Sequence, residues 1–133
     1  MRIAVDFDGT IVLHEFPRIG SPVPFAFHWL RRWKEAGATL ILWTVRNGTT
    51  LNEAVRFLLD KQGFVFDAVN EFPGDAAWSG SPKVYANLYV DDAAFGCPLV
   101  QAVPRSFVDW RIVGPEVMKM ILKDRLENGK RDN

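Results

Sequence analysis

Short apolar runs alternate along this chain with segments of helical periodicity, and that alternation restricts the fold more than any other feature. Arg2–Asp6 (RIAVD) is a compact apolar run of the kind shown by a strand buried on both faces. Phe25–Ala36 (FAFHWLRRWKEA) carries Phe27, Leu30 and Trp33 at helical spacing and stops at Gly37. Thr39–Thr44 (TLILWT) reads as a second buried strand, Thr50–Gln62 as a second helix stopped by Gly63, and Phe64–Val69 as a third, shorter strand. Leu88–Asp91 (LYVD) is a fourth strand and Leu99–Val103 (LVQAV) a weaker fifth. Pro115–Glu127 predicts a last helix opening on a proline suited to its first turn, with 126–133 a frayed tail. Strands and helices in this order predict a parallel sheet covered on both faces. The expected fold is α/β, a three-layer Rossmann-like sandwich around a mostly parallel five-stranded sheet, in one domain over 1–133.

The charge balance narrows the function classes. Lys plus Arg equals Asp plus Glu, 16 each, so a binder held to nucleic acid mainly by charge is disfavoured. Cys97 is the one cysteine, which excludes an internal disulfide and argues against a thiolate zinc site. The opening MRIAVDF is interrupted by Asp6 and reads as neither a signal peptide nor a membrane segment, so a cytoplasmic protein without membrane contact is expected. Trp29, Trp33 and Trp43 fall in regular elements and read as core; His28 reads as a packing or surface residue.

Parallel α/β sheets bind ligands at the carboxyl ends of their strands, near the point where the strand order reverses. The polar residues there form a constellation. Strand one ends in Asp6, with Phe7, Asp8 and Gly9 after it; strand two ends in Thr44, with Val45 and Arg46 after it; strand four ends in Asp91 and Asp92, with Lys83 shortly before. Were strands one and four neighbours, about 4.8 Å apart, four carboxylates would crowd one cleft and repel one another. Lys83 alone does not balance them. A divalent cation with oxygen ligands does, and Mg²⁺ is the usual choice where carboxylates meet a phosphate.

With these residues in view, the sequence resembles the haloacid dehalogenase superfamily of phosphohydrolases. Asp6-Phe7-Asp8-Gly9-Thr10 looks like its first motif, Thr44 after LILW like its second, Lys83 like its third, and Asp91-Asp92 after NLYV like its fourth. The resemblance implies that Asp6 attacks phosphorus to give an aspartyl-phosphate and that Asp8 acts as general acid and base. It implies a phosphoryl group held by Thr44, Arg46, Lys83 and the backbone around Phe7, Gly9 and Val45. It also implies Mg²⁺ held by Asp6, the Asp8 carbonyl and the Asp91-Asp92 pair, with the direct ligand of that pair left open. Lys83 stands eight residues before Asp91, closer than in many members; Arg46, Lys61 and Arg105 are less well placed for its role.

Many members carry a cap domain, but 11–24 and 70–82 are too short to fold as one. An open cleft is expected, suited to a phosphorylated small molecule or a phosphorylated macromolecular end, or covered by a second copy of the chain. His14, Phe16, Arg18, Asn70, Glu71 and Trp78 are the candidate loop residues for substrate contact. The expected activity is a Mg²⁺-dependent phosphatase. A phosphotransferase with the same intermediate and a non-enzymatic phosphate-binding module are the alternatives.

Overall fold

The computed structural model describes residues 1–74 and 79–131. In chain order its elements are β1 (Arg2–Val5), β2 (Val12–Glu15), β3 (Arg18–Pro22), α1 (Ala26–Glu35), β4 (Thr39–Leu42), α2 (Gly48–Gln62), β5 (Ala68–Val69), β6 (Leu88–Val90), β7 (Leu99–Val100), β8 (Phe107–Val108) and α3 (Trp110–Arg131). The fold is mixed α/β. A four-stranded parallel sheet of order β5-β4-β1-β6 lies at its centre. Among the described residues no helix is long and apolar enough to cross a membrane.

Successive strand residues point to opposite faces, and here that alternation divides the core. Ile3, Val5, Leu40, Leu42 and Val90 join one large cluster with Phe27, Leu30 and Trp33 of α1, Ala54 and Leu58 of α2, and Val113, Val117 and Ile121 of α3. Ile41 and Ala68 face the other way and pack with Val84 and Trp43. The three helices among the described residues therefore share one face. The crossover from β5 to β6, interrupted by Pro73, Gly74, Gly80 and Pro82, forms no helix among its described residues. It covers the second face with coil instead.

The expected fifth strand is also placed differently. Leu99–Val100 pairs antiparallel with Phe107–Val108 in a separate hairpin, not with the central sheet. Pro98 before it and Pro104 in its loop bound the run to two paired residues.

Helix α3 is longer than proline placement predicts, starting five residues before Pro115 and running to Arg131 through most of the expected tail. The extra turn is held by burial. Trp110 is fully buried against Trp33, ring centroids 5.1 Å apart, and the Ile112 and Val113 N–H groups donate to Asp109 O. Gly114 lets this turn approach α1: a β-carbon there would lie 2.2 Å from the Trp29 ring.

The topology fixes where ligands can bind. From β1 the chain steps to β4 and β5, then returns to place β6 on the far side of β1. The strand order thus reverses between β1 and β6, and the crevice opens beyond their carboxyl ends.

Candidate metal centre at the carboxyl edge of the sheet

Asp6 leaves β1 with its N–H on Val90 O at 2.9 Å, so it stands beside the end of β6, where Asp91 and Asp92 follow. Carboxylate oxygens of Asp6, Asp91 and Asp92 all lie within 4.8 Å of one another. Thr10, fully buried, ties two of them: its hydroxyl donates to Asp6 Oδ2 at 3.0 Å, lies 3.5 Å from Asp92 Oδ1, and accepts the Asp92 N–H at 3.2 Å.

Three acids this close do not all ionise freely. Burial, then the Asp91 charge and the Asp92 hydrogen bond, push the Asp6 carboxyl up to about 8. Burial raises Asp91 as well. Burial is also the largest single influence on Asp92 and acts upward, but the lowering contacts, led by hydrogen bonds with His14 and Asp6, outweigh it and hold Asp92 low. That shift favours a proton on Asp6 near neutral pH. A divalent ion would replace that proton, and a donor set of three carboxylates suits a hard cation such as Mg²⁺.

The loop after β1 is a single helical turn, with the N–H groups of Thr10, Ile11 and Val12 converging on Phe7 O at 3.2, 2.8 and 3.2 Å. The Phe7 side chain is buried in the core. Two contacts from the C-terminal part brace this turn: Val108 N–H donates to Gly9 O at 3.1 Å and Trp110 Nε1 to Thr10 O at 2.7 Å. Gly9 has φ +82°, and a β-carbon there would lie 2.1 Å from His14 Nε2 and 2.5 Å from Asp92 Oδ2. His14, carried in by β2, meets Asp92 Oδ2 at 2.9 Å.

Asp8 and Arg46 turn away from this cluster and toward each other. Arg46 donates from Nε to Asp8 Oδ2 at 2.7 Å and from one terminal nitrogen to Asp8 Oδ1 at 2.8 Å. Its remaining N–H groups reach Pro17 O, Arg18 O and Thr50 O at 3.0, 2.9 and 3.3 Å. The guanidinium lies between the Phe7 and Phe16 rings, 5.2 and 5.1 Å from their centroids, and the side chain is fully buried. All five donors of the fork are engaged. Arg46, expected to meet a phosphate, here joins Asp8, the β2–β3 turn and the start of α2.

Lys83, too, has a partner other than the acids. It is exposed, its ammonium lies 5.4 Å from the Tyr89 ring centroid, and it forms no ion pair with a described carboxylate. The chain reaches β6 from the amino end of the strand, which leaves Lys83 over the second face. Thr44 does lie at the β4 edge. Its N–H donates to Asn70 Oδ1 at 2.8 Å and its hydroxyl accepts the Arg46 N–H at 3.1 Å. Val45 beside it is almost fully exposed.

Among the loop residues, Phe16 stacks on Arg46, Arg18 contributes its carbonyl, Asn70 fastens the Thr44 turn, and Glu71 is exposed. Trp78 lies outside the described residues. His28 is exposed, and burial pushes the Cys97 thiol up, away from reactivity. Sequence reasoning named His14 only as a possible substrate contact and missed Thr10 and Trp110 as supports. A hydroxyl two residues past the second acid, at the start of a turn, was the available signal for Thr10.

Fold and site together define a parallel α/β protein with an acidic, cation-ready centre at the switch point of its sheet. No family model and no curated protein matches the chain. A solved structure does, described as that of the conserved protein coded by a locus from Bacteroides thetaiotaomicron. It is 38% identical over 90% of this chain and 91% of that one, with a TM-score of 0.75. The chain belongs to the same family as that conserved protein.

Proposed function

We propose that the protein is a Mg²⁺-dependent phosphatase of the haloacid dehalogenase type, with Asp6 as its nucleophile. The observation that carries this reading is the convergence of Asp6, Asp91 and Asp92 within 4.8 Å, beyond the two strands where the sheet order reverses. On this reading the four-stranded sheet is a reduced form of the superfamily's core, and the hairpin β2–β3 stands where larger members carry a cap.

Asp6, Asp91 and Asp92, with the Asp8 carbonyl, would hold the ion, which when bound offsets the acids and draws in phosphoryl oxygens. Asp6 attacks as the carboxylate, so the proton that burial favours on it must leave first. An Asp6 oxygen then bonds to phosphorus while the bond to the ester oxygen breaks, and the leaving oxygen takes a proton from Asp8. Water attacks phosphorus next and gives a proton to Asp8, breaking the aspartyl bond, restoring Asp6 and releasing inorganic phosphate. The Thr44 hydroxyl, which donates to no acceptor among the described residues, is placed to hold a phosphoryl oxygen. Proton transfer by Asp8 requires its pair with Arg46 to open first, since both its oxygens are engaged. The substrate class is a phosphomonoester presented to an open cleft, on a small molecule or a macromolecular end.

The engaged Asp8, and Lys83 with its ammonium over the Tyr89 ring, favour one second reading, a cation- and phosphate-binding module without turnover. Phosphate release from an aryl phosphate, with and without Mg²⁺, separates the two. The phosphatase releases phosphate only with the ion, and Asp6→Asn abolishes release. Full activity in Asp6→Asn would sink the nucleophile assignment. No release across a panel of phosphomonoesters, with Mg²⁺ binding retained, selects the module.

A further inference from the structure

We propose that His14 is the positioning residue of the metal centre: it grips one oxygen of Asp92 from behind and so presents the other to a divalent cation. The inference rests on the metal reading above and assigns the hairpin β2–β3 a part in it. Asp92 is the acid whose orientation needs help from another element. Asp91 has a local donor, the Ala93 N–H, on its Oδ1 at 2.8 Å. Asp92 has Thr10 near Oδ1 and His14 Nε2 on Oδ2, and both partners come from the chain after β1. His14 is not itself among the converging ligands, which are the three acids alone among the described residues. It therefore stands behind Asp92 rather than beside the ion.

Three features indicate that this contact is built. The pair is sheltered, with side-chain exposures of 16% for His14 and 14% for Asp92. Position 9 is bare where a β-carbon would strike both contacting atoms, in a backbone conformation that glycine adopts at no steric cost. The arm carrying His14 is anchored: Arg46 binds the carbonyls of Pro17 and Arg18 at the turn, and the register of β2 on β3 shifts between Val12 and His14. A carboxylate held at one oxygen keeps the other aimed without an ordering cost at the moment of binding. Loss of such an outer partner lowers metal affinity by about 10–100-fold.

The test is calorimetric titration of Mg²⁺ and Mn²⁺ into the wild type, His14→Ala and His14→Gln at one pH, with circular dichroism to verify the fold. His14→Ala should bind about 10–100-fold more weakly. His14→Gln, whose amide can still donate to Asp92, should recover most of the loss; that rescue would not follow from a purely structural role. Should the alanine variant not fold, the glutamine variant must still bind within about tenfold of wild type. Equal affinity in wild type and His14→Ala, or a glutamine variant as weak as alanine, overturns the inference while leaving the metal site standing. A wild type that takes up neither cation removes the metal reading, and this inference with it.

Discussion

Arg46→Met puts in place of the arginine a side chain of similar length that has none of its hydrogen-bonding capacity, and the structure sets what that costs. Asp8 is 8% exposed and Arg46 1%, so the substitution strands a buried carboxylate whose two charge-assisted bonds were 2.7 and 2.8 Å. Breaking one side of a buried pair costs about 3–5 kcal/mol. The carbonyls of Pro17 and Arg18 lose donors too, but those residues are exposed and water replaces the bonds at little cost. Unfolding entropy of roughly 2.1 cal/mol/K per residue over 133 residues converts each kcal/mol to about 4 °C, so Tm should fall by about 11–18 °C. Thermal and urea denaturation at pH 7, followed by circular dichroism, measure it. Asp8→Asn alone should also be costly. The double variant Asp8→Asn/Arg46→Met should lose less than the sum of the singles by about 2 kcal/mol, because neither charge is then left alone. A loss below about 1 kcal/mol in Arg46→Met, or strict additivity in the double variant, would refute the clamp. An Arg46 that served only to bind phosphate would lose activity with no change in Tm.

Two further outcomes follow from the site. In chelator, the folded chain keeps a proton on Asp6 up to about pH 8, whereas the unfolded chain releases it near 3.8. The folded state thus binds more protons across that window, and stability should fall as pH rises through it, by an amount on the order of a few kcal/mol. Asp92, held low, acts only below the ordinary carboxylate range. Tm against pH in chelator should slope downward from about pH 4 to 8, Asp6→Asn should flatten it, and Mg²⁺ should stabilise more at the alkaline end. A rising slope would contradict the clustering of the acids. Lys83→Ala, with its ammonium on Tyr89, should keep phosphate release within about threefold; a loss above about a hundredfold would mean that Lys83 reaches Asp6 during turnover.

The four strands of the central sheet were legible from apolar runs alone, whereas β2, β3 and β8 were not; with those four came the positions of Asp6, Thr44, Asp91 and Asp92, since a residue just past a buried strand has one edge to occupy. The strands came out shorter than their apolar runs: Phe64–Val69 keeps only Ala68–Val69 as strand, because β5 is an edge that pairs with β4 alone. The start of α3 was illegible for a related reason. Pro115 marks a favourable first turn in isolation, but burial of Trp110 against Trp33 outweighs that local preference and extends the helix backward.

The sequence by itself determined that β1 and β6 end in acids. Parallel neighbours at a fixed spacing then bring Asp6, Asp91 and Asp92 together whatever the loops do. Only the tertiary structure decided the company these acids keep. Arg46 and Lys83 have long side chains with several rotatable bonds, and their destinations depend on which carboxylate, carbonyl or ring the fold puts within reach. Arg46 found Asp8 and the hairpin turn, Lys83 found Tyr89, and His14 arrived at Asp92 through the register of β2 on β3. Backbone spacing is local and periodic and can be read along the chain. The partner of a long side chain is a meeting of distant segments, set by packing.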